Sequence, residues 1–166
     1  MPLTIFRRAS VNQILVLAGA ALLSTACSWP PGLVGSSSSK PDIAMLAGAW
    51  QPTPEGLSDI AVAHSPSRPG RLTLWADGAA SFDGVPDFVS AGRGNPVGTL
   101  TGIGRWSVVE DREWQAWVVS ISTSAAGFQL YITGTAPNFE LVAVIGDPDS
   151  RRSLRFSRVS SSAGPN

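Results

Sequence analysis

The chain has 166 residues, with 12 basic and 12 acidic side chains that cancel. Its basic residues are scattered apart from Arg151, Arg152, Arg155 and Arg158, which leaves no clustered cationic face of the kind that grips nucleic acid. One cysteine and one histidine exclude a disulfide framework and a thiolate or histidine-rich metal site, so no metal or cofactor is implied.

Residues 1–26 have the charged, apolar, small-residue order of a bacterial export signal. Arg7 and Arg8 precede an apolar run of ten residues from Ile14 to Leu23, and Ser24, Thr25 and Ala26 stand immediately before Cys27. A membrane-spanning helix needs about 20 apolar residues, so the run is too short to span. Cys27, the only cysteine, sits where a lipid-modifying pathway attaches diacylglycerol to sulfur before cleavage frees the cysteine as residue one. The segment resembles a lipobox, although Ser24 occupies the position where an apolar residue is usual and Leu23 lies one place further back. Cleavage without lipidation, with Cys27 an incidental thiol, is the competing reading. The Arg7-Arg8 pair also raises a twin-arginine signal, but Ala9-Ser10-Val11 lacks the apolar pattern that accompanies one.

Loss of residues 1–26 removes Arg7 and Arg8 and leaves 10 basic residues against 12 acidic. Residues 27–40 then read as the lipidated cysteine and a flexible tether, because their Pro, Gly and Ser composition cannot bury enough surface to fold. Thirteen such residues after Cys27 reach roughly 20 Å, which places the folded domain beside a membrane, on its extracytoplasmic face. Residues 41–159 have the size of one domain, and residues 160–166 read as a disordered tail.

Within 41–159 the apolar residues alternate in short runs between turn residues, the pattern of half-buried antiparallel strands. Ile43 to Ala47 is long enough for a single helical turn before Gly48. Arg71-Leu72-Thr73-Leu74-Trp75 and Ala79-Ala80-Ser81-Phe82 flank Asp77-Gly78, a tight-hairpin signal. Gly84 to Gly98 is rich in Gly and Pro and predicts a long irregular loop, a usual place for recognition, with Phe88 either plugging a barrel end or offered to a partner.

Gly104 to Val109 and Trp114 to Ser122 form a second hairpin across the charged turn Glu110-Asp111-Arg112-Glu113. Phe128, Leu130 and Ile132 share one face of the next strand. Phe139 to Ile145 is apolar on both faces, as in a covered strand. Asp147-Pro148-Asp149-Ser150 makes a turn before the closing strand Ser153 to Arg158. These runs amount to seven strands, and short connections predict an all-β antiparallel meander that curls into a small barrel or half-barrel, since closure removes exposed edges.

Leu46-x-Gly48-x-Trp50 at the first strand and Leu154-x-Phe156-x-Arg158 at the last are similar to the lipocalin-like pattern. That resemblance implies a tryptophan closing the barrel floor and a late arginine packed over it. Leu72-x-Leu74-x-x-Asp77-Gly78 and Gly102-x-Gly104-x-Trp106 resemble motifs of small secreted actinobacterial lipoproteins of uncharacterised function. Fold analogy of this kind does not fix a ligand.

Residues with chemical potential are few. His64 has no neighbouring partner in sequence for catalysis or metal binding. Asp77, Asp83 and Asp87, and the pair Asp147 and Asp149, lack the spacing of a calcium loop, and Asp77 and the Asp147–Asp149 pair stand where turns are needed. There is no Gly-x-Ser-x-Gly elbow, and Gly102-x-Gly104 lacks the third glycine and helix of a phosphate cradle. Trp50, Trp75, Trp106, Trp114 and Trp117 serve either as core or as a stacking platform, Trp75 being the one placed opposite Leu72 and Leu74. The expectation is a lipid-anchored binding or interaction module for an apolar small molecule or an envelope protein. A cell-envelope hydrolase with two carboxylates across a cleft and a purely structural envelope protein are the alternatives.

Overall fold

Alternating sequence becomes wall, and the wall closes on itself. The computed structural model describes residues 39–59, 70–89, 98–124, 126–147 and 152–160. Cys27 and the proposed export signal and tether up to residue 38, His64, residues 90–97, Asp149 and the tail beyond Ser160 lie outside the described residues.

The elements run α1 (Ile43–Leu46), β1 (Gly48–Pro52), α2 (Pro54–Asp59), β2 (Arg71–Leu74), β3 (Ala79–Pro86), β4 (Thr99–Asp111), β5 (Ala116–Thr123), β6 (Gly127–Thr135), β7 (Asn138–Val144) and β8 (Ser153–Arg158). Each strand pairs antiparallel with the next, and β1 pairs with β8, which closes the barrel. The expected all-β meander is therefore a full barrel rather than a half-barrel. Eight strands stand where seven period-two runs were counted. The seven runs leave out β1, five residues that the Gly48-x-Trp50 motif marks as the first strand.

Three further expectations are corrected. The segment Gly84–Gly98 is not loop throughout, because β3 continues through Pro86 and β4 begins at Thr99. A register shift between Phe82 and Val85 lets the strand pass Asp83-Gly84 as a bulge, which hides it from a period-two reading. β4 is longer at both ends than Gly104–Val109, and Trp114 belongs to the turn before β5. α2 had no helical period to betray it. It forms because Thr53 Oγ1 accepts the Gly56 N–H and the Thr53 carbonyl accepts the Leu57 N–H.

Strand direction gives the barrel two unlike ends. The β2–β3, β4–β5 and β6–β7 hairpins sit at one end, the floor; α2 and the β3–β4, β5–β6 and β7–β8 connections sit at the other, the mouth. The interior holds Trp50, Leu72, Leu74, Phe82, Trp106, Ile121, Leu130, Ile132, Leu141, Leu154 and Phe156, all buried. Phe139, Leu141, Ala143 and Ile145 line one face as their alternation requires. Val142 on the opposite face is also fully buried, which explains why β7 is apolar on both sides.

The floor is shut by a cluster that joins the two ends of the sheet. Asp42 caps α1 by accepting the Ala44 N–H at 2.9 Å, and Leu46 packs beneath the core. Trp50 is fully buried, so its indole N–H needs a partner; it donates to the Leu46 carbonyl at 3.0 Å. Arg158, opposite Trp50 in the β1–β8 register, stands 5.9 Å from the indole ring centre. Its guanidinium donates to the Met45 carbonyl at 3.0 Å and to the Ala47 carbonyl. Glycine at 48 is required here, because a Cβ would lie 3.0 Å from Arg158 Nη2 on a backbone with φ of +146°. At the next hairpin Gly78 takes φ of +82° while Asp77 accepts the Ala79 N–H. The Trp106 indole donates across to the Trp75 carbonyl at 2.8 Å.

Two measurements check this account. Trp50→Ala should lower the unfolding free energy by about 3–5 kcal/mol as a core truncation, read by urea titration, and Arg158→Leu should cost less, since a cation over an aromatic face contributes about 0.5–2 kcal/mol. The second concerns Tyr131, whose hydroxyl donates to Asp111 Oδ2 at 3.0 Å while Asp111 Oδ1 accepts the Glu113 and Trp114 N–H groups of the β4–β5 turn. Burial, then the hydrogen bond to Asp111, then the charges of Asp111 and Glu113 push the phenol well above its ordinary value. The protonated phenol is thus favoured by folding, so its contribution is complete below about pH 10 and is lost as pH rises toward the folded value. Tyr131→Phe should flatten the fall in stability above pH 10, measured by denaturant titration at successive pH values.

Candidate functional site

Among the described residues, the barrel is incompletely filled at its mouth. Phe82 from β3, Phe128 from β6 and Phe88 from the β3–β4 connection form a chain of edge-on contacts, with Phe128 5.1 Å from Phe82 and 5.3 Å from Phe88 between ring centres. Of the two roles open to Phe88, its 5% exposure places it inward, as a plug. Beside this aromatic chain lies a cavity of about 580 Å³, within the range of about 300–1,000 Å³ usual for small-molecule sites. Phe82, Val89, Leu100 and Phe128 supply its apolar wall, and Asp87, Thr101, Thr123 and Ser124 supply polar groups.

The cavity exists because two neighbouring strands differ in length. β4 has 13 residues and β5 has 8, and their pairing ends at Gly104 opposite Thr123. From Thr99 to Ile103, β4 pairs with β3 alone. The β5–β6 connection turns away at once, with Thr123 Oγ1 both donating to the Ala126 carbonyl and accepting the Ala126 N–H. The separation leaves Thr99, Thr101, Gly102 and Ile103 exposed within a strand, and Ile103 is 80% exposed. Gly102 faces the interior with the parity of Trp106, and no atom lies within 4 Å of where its Cβ would stand, so the cavity reaches the β4 backbone.

The candidate residues drawn from sequence do not gather here. Asp77 lies in the floor hairpin and Asp83 is exposed on β3 opposite Arg71; of the three clustered carboxylates only Asp87 borders the cavity. Among the described residues no group of three His, Cys, Asp or Glu is close enough to hold a metal ion. Nor do the tryptophans form a platform. Trp50 and Trp106 are core, Trp114 and Trp117 are half-buried, and Trp75 is 46% exposed, opposite Leu72 and Leu74 as expected. A second, shallower hollow of about 330 Å³ at the floor includes Glu140 and Arg158. Its charged groups are engaged, Arg158 with α1 and Glu140 with Arg155 at 3.0 Å.

Sequence reasoning missed the stretch from Leu100 to Ile103 and the β5–β6 connection as a site. The available signal was Thr99-Leu100-Thr101, an alternation continuous with the strand that follows, interrupted only by Gly102 and Gly104. No protein family, curated protein or solved structure matches this chain.

The aromatic chain yields a double-mutant test. Phe88→Ala and Phe128→Ala, alone and together, should show a coupling of about 0.5–1.5 kcal/mol in unfolding free energy, the value for a well-oriented aromatic pair. A coupling near zero would mean that Phe88 does not rest on Phe128 in solution.

Proposed function

We propose that the protein is a lipid-anchored, extracytoplasmic binding module with a lipocalin-like barrel whose mouth accommodates an apolar-bodied ligand. The observation that carries the binding part is the mouth cavity, walled by Phe82, Val89, Leu100 and Phe128 and rimmed by hydroxyls and Asp87. Such a lining favours a ligand that buries a hydrocarbon surface and presents a few polar atoms to the rim. The Trp50–Arg158 floor supports the lipocalin-like comparison. Anchoring rests on Cys27 after Ser24-Thr25-Ala26, where two or more acyl chains make membrane attachment stable and one alone is marginal. A hydrolase reading calls for two carboxylates facing one another across a cleft, and the cavity wall brings in one.

Two experiments separate anchor from ligand. Cys27→Ala should move the protein from the membrane fraction to the soluble fraction or stop its processing; a variant that is processed normally and stays on the membrane contradicts the anchor. The full chain, extracted in mild detergent, should enhance the fluorescence of 1-anilinonaphthalene-8-sulfonate above that of the detergent alone, with Leu100→Trp weakening that binding about tenfold, equivalent to about 1.4 kcal/mol. Equal binding by the filled variant would place the probe elsewhere and remove the support for a mouth site.

A further inference from the structure

We infer that the ligand of the mouth site is an extended peptide, bound as an added strand on β4 with an apolar side chain in the cavity. The inference rests on the reading of the mouth as a binding site and adds the class of its occupant. Its basis is the direction of main-chain groups in β4. The Gly98 carbonyl accepts the Asp87 N–H at 3.0 Å, and the Trp106 N–H donates to the Gly78 carbonyl at 2.8 Å, so the even-numbered residues of β4 turn their main-chain groups toward the β3 side. In an antiparallel sheet these directions alternate along the strand. Thr99, Thr101 and Ile103 therefore turn their N–H and C=O groups toward the side where β5 would continue. β5 pairing stops at Gly104 opposite Thr123, which sets the Ile103 carbonyl against the Ser124 N–H, and among the described residues the Ile103 N–H has no hydrogen-bond partner on the β5 side.

A strand edge with unpaired donors and acceptors is a template for another strand. Natural proteins shorten, charge or cover such edges, whereas this one carries no charge and no proline between Thr99 and Ile103. It presents Ile103 at 80% exposure on the outer side. On the inner side the same segment borders the aromatic cavity. Strand addition draws affinity from main-chain hydrogen bonds and selectivity from pockets that receive alternate side chains. Both requirements meet at one place here: an edge of five residues, about 17 Å long at strand rise, and beside it a cavity that one inward-pointing side chain can enter over Gly102. A small apolar molecule would use the cavity and leave the edge idle. An extended peptide uses both.

The test is an NMR titration of the full chain in mild detergent with acetylated, amidated seven-residue peptides that alternate threonine with valine and carry alanine or phenylalanine at the centre. The Ile103 amide should exchange rapidly in the free protein and slow by at least about tenfold when the peptide is bound, as for an amide entering a ladder. The phenylalanine peptide should bind about tenfold more tightly than the alanine peptide, and methylating the peptide nitrogens that face the edge should abolish binding. Ile103→Pro, a substitution edge strands tolerate, removes the facing N–H and should weaken binding about tenfold, while Ile103→Thr keeps it. If 1-anilinonaphthalene-8-sulfonate binds at Leu100 but neither peptide shifts Ile103, the peptide inference falls and the mouth site stands. If neither probe binds, both fall. Slow exchange of Ile103 in the free protein that strengthens with protein concentration would show a second copy on the edge and overturn the inference.

Discussion

The structure depends on the joint between its first and last strands. An antiparallel meander closes only if β1 and β8 find each other across the whole length of the domain, and the register Trp50–Arg158 is where they do. Three groups reinforce that joint. The indole of Trp50 fills the floor and ties back to Leu46, the guanidinium of Arg158 spans from the ring to the Met45 and Ala47 carbonyls, and Gly48 leaves the space that the guanidinium needs. The last carbonyls of the α1 turn would otherwise lack partners, as helix ends do. One arginine thus satisfies a helix terminus, covers an aromatic face and pins the sheet shut. It stands at the surface, so its value lies in geometry more than in charge.

Closure at the floor throws the imperfections of packing to the other end. Below the level of Phe82 the interior is filled by large side chains in contact. Above it β4 runs on without β5, and among the described residues Phe88, Phe128 and Leu57 of α2 pack at the opening. A barrel made of strands of equal length would have no such gap. The unequal lengths of β4 and β5, together with the tight Thr123–Ala126 turn, produce both the cavity and the stretch of β4 that β5 does not pair.

Much of the wall was legible in the sequence because alternation is a strong local signal. Leu72 and Leu74, Phe128 through Ile132, and Phe139 through Ile145 lie on the faces their spacing assigned. The Gly-x-Trp motif with a late arginine led to the correct contact. What escaped was set by features without a period. α2 is held by Thr53 and by a backbone approach that only Gly56 permits, with Arg155 N 2.5 Å from a would-be Cβ, and the bulge after Phe82 breaks β3 in mid-strand. The site escaped for a different reason. A cavity formed by the difference between two strand lengths is a property of register, and register is decided by residues on both strands at once.

Among the described residues the barrel is asymmetric, sealed at α1 and open between β4 and the β5–β6 connection. A soluble gadolinium chelate added to the protein in NMR relaxation measurements tests it directly, because it broadens only groups it can approach. The account predicts strong broadening of the Thr101 and Ile103 amides and of the Phe128 ring protons, with the Trp50 indole and the Leu72 and Leu141 amides spared. Equal sparing of Ile103 and Phe128, or broadening of the Trp50 indole, would contradict it.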